Sequence, residues 1–247
     1  MSGSSSPARR LLPAPLRRWV TRLRRWPPVG RVRFGSLRRL EPISREWGFD
    51  RGRPVDRHYI ERFLAAHAAD IRGRVLEIGG SRYTRMFGGD RVVRSDVLHV
   101  AEGQPDVTIV ADLTRTDGIA PGTFDCVIAT QTLQFIYDVK AAIATLHRIL
   151  KPGGVVLATI PGISKVSRED MDRWGHFWSF TTCSARRMFQ EFFGPEGVSV
   201  EAHGNVLSAI AFLHGIADRE LDHDELEFHD PDYEVLIGVR ARKDGSK

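Results

Sequence analysis

The sequence predicts an open α/β fold built on a largely parallel sheet with helices on both faces. Three observations carry this. Short, nearly all-apolar runs recur between Arg74 and Pro161, segments of helical periodicity separate them, and polar residues gather just after the runs. Strands buried on both faces read as continuous apolar runs, and their alternation with helices favours parallel pairing.

The elements follow in order. In "DRHYIERFLAAHAADI", Tyr59, Ile60, Phe63, Leu64, His67 and Ile71 share one helical stripe, and Gly73 follows as a helix stop. "RVLEIG" reads as the first strand, "VVRSDVL" as the second, "DVTIVADL" as the third and "FDCVIATQTL" as the fourth. "VKAAIATLHRIL" is a helix closed by Lys151-Pro152-Gly153-Gly154, and "VVLATIP" is the fifth strand. Later, "VSVEAHG" and "YEVLIGVRARK" read as two more strands around the helix "NVLSAIAFLHGIA". No internal repeat is visible.

The 247 residues suit one domain with an appended segment. An apolar fraction of 42% with 27% charged residues is ordinary for a globular protein. No run approaches 18 apolar residues, so no transmembrane helix is expected. Cys126 and Cys183 form no framework, which points to a reduced, cytoplasmic setting.

The net charge of +5 is unevenly placed. Residues 1–40 hold 11 Arg and no acid, leaving 25 basic against 31 acidic side chains in the rest. The body is therefore acidic, and a globally basic nucleic-acid binder is not described. Residues 1–40 read as a disordered tail or a surface helix: "PLRRWVTRLRRW" sets Leu16, Trp19, Val20, Leu23 and Trp26 at helical spacing among arginines, a pattern suited to an anionic membrane surface.

In open parallel sheets, ligands lie beyond the carboxyl ends of the strands. Glu77, Gly79 and Gly80 follow the first strand, and Asp112 with Leu113 the third. Thr130 and Gln131 follow the fourth. Asp96, beside Val97 in the second, lies 17 residues past Gly79, near the offset at which an acid takes a ribose diol. The loop is not G-x-G-x-x-G, because Ser81 and Thr84 stand where glycines would be. Glu77 would repel phosphates and favour a cation. A cationic nucleoside without phosphate fits, and S-adenosylmethionine (SAM) is the candidate. Glu77 and Asp96 also admit a structural reading, in which they cap helices or pair with arginines.

"VLEIGG", Asp96, "ADL", "FDCVIATQTLQFIYD" and "LHRILKPGGVVLATIPG" together resemble the class I SAM-dependent methyltransferases over Arg74–Gly162. The resemblance implies a Rossmann-like, doubly wound seven-stranded sheet whose last strand runs antiparallel. It implies a SAM-binding core at 73–162, an N-terminal lid or helix at 41–72, an acceptor-side lid at 163–197 and C-terminal strands at 198–247. It places Glu77, Gly79 and Gly80 beside the methionine and ribose, Asp96 on the ribose hydroxyls, Asp112 and Leu113 at the adenine, and Gln131 under the cofactor. "PISREWGFDRGRPVDRHYIERFL" and "DRWGHFWSFTTCSARRMF" further resemble a bacterial subgroup often found with glycosyltransferase and polysaccharide genes.

On the acceptor side, Arg51, Arg53, Asp56, Arg57 and Tyr59 form a cluster suited either to substrate contact or to a self-satisfied ion-pair network. Trp174, Phe177, Trp178 and Phe180 surround His176, with aromatic faces for a ring and an imidazole to accept a hydroxyl proton. Asp172 and Tyr83 are the alternatives for that proton. "DRELDHDELEFHDPD" mixes acids with His223 and His229 but has no established metal-ligand spacing, so no metal is expected. The expectation is a methyltransferase acting on an oxygen of a sugar, glycolipid or related small metabolite. Its rivals are an RNA or protein methyltransferase using the basic tail, and a non-catalytic scaffold of the same fold.

Overall fold

The computed structural model describes residues 27–103, 106–115 and 118–245. The chain divides into two units, Met1–Glu41 and Pro42–Lys247. In the described part of the first, Gly35–Leu37 forms a 3-10 turn. The basic stretch Leu16–Trp26 lies outside the described residues.

The second unit begins with helix α1, Val55–Ala66, whose inward stripe buries Tyr59, Ile60, Phe63 and Leu64. The helix ends earlier than the stripe suggests: His67 takes the C-cap and a 3-10 turn, Ala68–Asp70, follows. Gly73 is therefore no helix stop. It opens strand β1, Gly73–Ile78, with φ +66°, where a Cβ would lie 2.5 Å from Asp125 Oδ2.

β1 leads through a short connection to β2, Val92–His99, and then to β3, which comprises only Ile109–Val110. The expected third strand is mostly loop: Thr108 turns its hydroxyl onto the Val97 N–H at 3.0 Å. β4 is Phe124–Thr130, and helix α2, Val139–Ile149, is capped by the Asp138 side chain. β5 spans Leu150–Pro161, so the Lys-Pro-Gly-Gly stretch belongs to the strand and not to a helix stop. Helix α3, Arg168–Arg173, and helix α4, Thr182–Phe193, precede β6, Val198–His203. Helix α5, Val206–His214, helix α6, His223–Glu227, and β7, Leu236–Arg242, complete the unit.

The seven strands lie in the order β3-β2-β1-β4-β5-β7-β6. β7 runs antiparallel to β5 and β6, and the other pairings are parallel. Alternation along the strands builds a core on each face. Leu76, Val127 and Ala129 meet α2 and α4 through Ile143, Leu146 and Phe189, whereas Val75, Cys126 and Ile128 meet α1 and α5 through Tyr59, Phe63 and Phe212. Strand order reverses between β1 and β4, so their carboxyl ends define the crevice where a ligand belongs. Among the described residues no helix is long and apolar enough to cross a membrane.

Candidate functional site

The site grows from the ends of β1, β2 and β4. Between β1 and β2 only a compressed turn fits: Thr84–Gly88 winds as a π-turn and Gly89–Arg91 as a 3-10 turn. Buried Glu77 organises it, accepting the N–H groups of Tyr83 at 3.1 Å and Thr84 at 2.7 Å. Burial pushes the Glu77 carboxyl above the usual range, and the Thr84 and Tyr83 N–H groups oppose that shift. Glu77 thus acts as the cap of the turn and does not line the cleft.

Gly79 comes next, at φ +84°, with its N–H on the Leu98 carbonyl at 2.9 Å and nothing within 4 Å of where a Cβ would stand. It lines a cavity of about 500 Å³ formed by all three strand ends. Asp112, Leu113, Thr130, Gln131 and Trp174 line it too. Gly80 and Val97 do not; Val97 is buried inside β2.

Asp96 needs correction as a ribose ligand. It sits within β2 opposite Leu76, three residues before the strand ends. Its carboxylate accepts Arg74 Nε at 2.7 Å, Arg94 Nη2 at 3.1 Å and the Thr108 hydroxyl at 3.2 Å. Burial alone would raise its carboxyl, but the Arg74 and Arg94 guanidiniums hold it below the usual range. The residue that β2 delivers to the cavity is His99, whose Nδ1 accepts the Ala101 N–H at 3.0 Å and whose ring meets Trp174 edge-on. The strand runs one residue past Leu98, where the apolar run stops, so the residue immediately after that run is the available signal.

Gln131 follows β4 at φ +49°, a conformation that costs a non-glycine residue on the order of 1–3 kcal/mol. The bond from its N–H to the Thr159 carbonyl at 2.8 Å holds it, and its Oε1 accepts Gln134 Nε2 at 3.0 Å. Gln131, Phe135 and Asp170 form a common wall between the large cavity and a second of about 180 Å³.

That second cavity gathers Trp47, Phe49, Asp56, Arg57 and His176. His176 Nδ1 accepts the Ser167 N–H at 3.4 Å, and its ring stands edge-on to Phe135. Burial lowers its pKa, against the nearby Asp170, so the ring is neutral near pH 7.

Several expected acceptor residues lie elsewhere. Arg51 pairs with Glu220, and Arg53 with Asp218 and Glu61, a self-satisfied network on the acid-rich 218–232 stretch. Tyr59 is fully buried, with its hydroxyl donating to the Leu226 carbonyl. Tyr83 is buried and accepts Arg57 Nη1 at 3.3 Å, and Trp178 Nε1 donates to the Ile136 carbonyl at 3.0 Å. Neither Tyr83 nor Trp178 lines a cavity beside Gln131, and Asp172 is exposed on α3.

The larger cavity suits SAM. Its lining holds two carboxylates, Asp112 and Asp170, and no lysine or arginine. Such walls favour a cation and reject a pyrophosphate. Its volume lies within the roughly 300–1,000 Å³ of ligand sites, and Ile78, Leu98, Ala111 and Leu113 supply apolar surface for a base.

Residues 67–158 match the model of a family described as a methyltransferase domain. No curated protein sequence matches the chain. Among solved structures, it is similar to a SAM-dependent methyltransferase from Archaeoglobus fulgidus, with TM-score 0.50 and 11% identity over 75% of this chain and 94% of that one. A putative sarcosine dimethylglycine methyltransferase from Galdieria sulphuraria gives TM-score 0.51 and 14% identity over 76% and 86%. These likenesses establish the fold. Residues 67–158 thus match a methyltransferase domain on a Rossmann-like fold, and the protein is a SAM-dependent methyltransferase, an enzyme with S-adenosylmethionine as its cofactor.

Proposed function

We propose that the protein methylates an oxygen of a small hydroxylated acceptor, a sugar, glycolipid headgroup or related metabolite. The observation that carries this reading is the wall of Gln131, Phe135 and Asp170 shared by the two cavities. Gly79, Asp112, Leu113, Thr130 and Gln131 would hold the cofactor, with His99 at the end of β2. Bound SAM supplies an electrophilic methyl on a sulfonium. The acceptor would enter the second cavity, where Trp47, Phe49 and Phe135 offer ring faces and Asp56, Arg57 and His176 offer polar contacts. Positioning of the acceptor by these residues supplies most of the rate in an in-line displacement.

Size and charge favour a small acceptor over RNA. About 180 Å³ admits one ring or a short polar group, below the usual drug-sized pocket. One arginine among two aspartates makes a poor cradle for a phosphate chain. Residues 1–40, with 11 Arg and no acid, would place the enzyme against an anionic membrane where envelope glycans are built.

The test is incubation with methyl-labelled SAM and separate saccharide, lipid and RNA extracts, followed by product identification. Label in a saccharide or glycolipid ether supports the reading. Label confined to RNA or protein overturns it.

A further inference from the structure

Resting on the oxygen-acceptor reading, we propose that the Asp56 carboxylate, and not His176, takes the proton from the acceptor hydroxyl. Asp56 is the second residue of α1, only 9% exposed, and lines the smaller cavity. Its Oδ1 is buried with no hydrogen-bond partner among the described residues. An unpartnered oxygen on a buried carboxylate is open to a donor that arrives with the ligand.

The other charged or titratable groups of the cavity are Arg57, Asp170 and His176. Arg57 forms no carboxylate ion pair within 4 Å among the described residues, and its hydrogen bond goes to the Tyr83 hydroxyl. It cannot serve as a base. Asp170 is half-buried and also borders the cofactor cavity, where its charge faces a cation. His176 commits Nδ1 as an acceptor to the Ser167 N–H, so its neutral ring carries the proton on Nε2. In that tautomer it donates and has no free lone pair. Burial raises the Asp56 carboxyl, while the adjacent Arg57 charge and the backbone N–H groups of Arg57 and Asp56 pull the other way. Once ionised, a raised carboxylate is the stronger proton acceptor.

In the step, the acceptor oxygen bonds to the methyl carbon as its O–H bond breaks, and the proton passes to Asp56 Oδ1. The C–S bonding pair stays on sulfur. Asp56 then loses the proton to water as product leaves.

Asp56→Asn keeps the shape and removes the base. Methyl-labelled SAM with a cell-envelope saccharide extract measures turnover, and calorimetry with S-adenosylhomocysteine measures the cofactor site. The expected result is cofactor affinity within about threefold of wild type and label incorporation lowered about 100-fold, with Asp56→Glu recovering part of it. Incorporation within threefold of wild type in Asp56→Asn overturns the proposal. A wild type that labels no saccharide overturns the oxygen-acceptor reading instead. A carboxyl 13C titration of the S-adenosylhomocysteine-bound protein, assigned by loss of the signal in Asp56→Asn, needs no acceptor. A midpoint above that of an ordinary aspartate supports the role, and one at or below it overturns it.

Discussion

Arg74 Nε donates to Asp96 Oδ2 at 2.7 Å, and this pair holds the acid of β2 inside the sheet instead of at the cleft. Asp96 is therefore a stability residue with a predictable pH signature. Its folded carboxyl is depressed, so its contribution is present above the ordinary aspartate pKa of about 3.9 and is lost as pH falls through the folded value. Asp96→Asn should weaken the protein at neutral pH and flatten the acid limb of its stability curve. Affinity for S-adenosylhomocysteine should stay within about threefold. A tenfold weaker affinity would return Asp96 to the ribose.

Glu77 works in the opposite sense. Its folded carboxyl is raised, so ionisation costs more in the native state, and that penalty appears as pH rises above the ordinary glutamate range. The Tyr83 and Thr84 N–H groups oppose that shift. Glu77→Ala strands both donors in a buried turn, at about 2–3 kcal/mol. Thermal unfolding should show that loss, and S-adenosylhomocysteine binding should weaken with it, because Ile78 and Gly79, which follow Glu77 directly in the chain, line the cavity.

The strand ends were readable in the sequence wherever an apolar run stopped cleanly. Gly79, Asp112, Leu113, Thr130 and Gln131 each follow such a run, and the structure brings them to one cavity. For Asp96 and Arg51 the sequence left ligand contact and ion pairing both open, because two of the partners that decide it, Arg74 and Glu220, lie 22 and 169 residues away. The stripe of α1 was plain, but not its end: Ile71 is buried although the helix stops at Ala66, since a 3-10 turn carries it to the same core. The smaller cavity joins Trp47, Asp56, Gln131, His176 and Phe212, residues from five separate segments, so only packing could assemble it.

The two glycines after β1 should separate cleanly. Gly79 has φ +84°, so an alanine there pays about 1–2 kcal/mol of backbone strain and puts a methyl beside the ligand. Gly80 has no positive φ and open space around its Cβ position, and it does not line the cavity. Gly79→Ala is expected to weaken S-adenosylhomocysteine binding about tenfold by calorimetry, and Gly80→Ala to change it less than twofold. Equal effects would mean that close approach is shared by both backbones.

His176 and Asp56 border the same small cavity, so their contributions must be distinguished by pH and not by rate alone. A neutral His176 with Nδ1 bound to the Ser167 N–H can donate to an acceptor oxygen. Losing one neutral hydrogen bond of this kind costs about 0.5–1.5 kcal/mol, or roughly tenfold at most. His176→Gln, which keeps an N–H donor, should retain most of the turnover, whereas His176→Ala should lose about tenfold. In both variants the acid limb of the pH–rate profile should stay where it is in the wild type, because the group titrating there is a carboxylate. A limb that vanishes in His176→Gln would make the imidazole the proton acceptor and Asp56 a bystander.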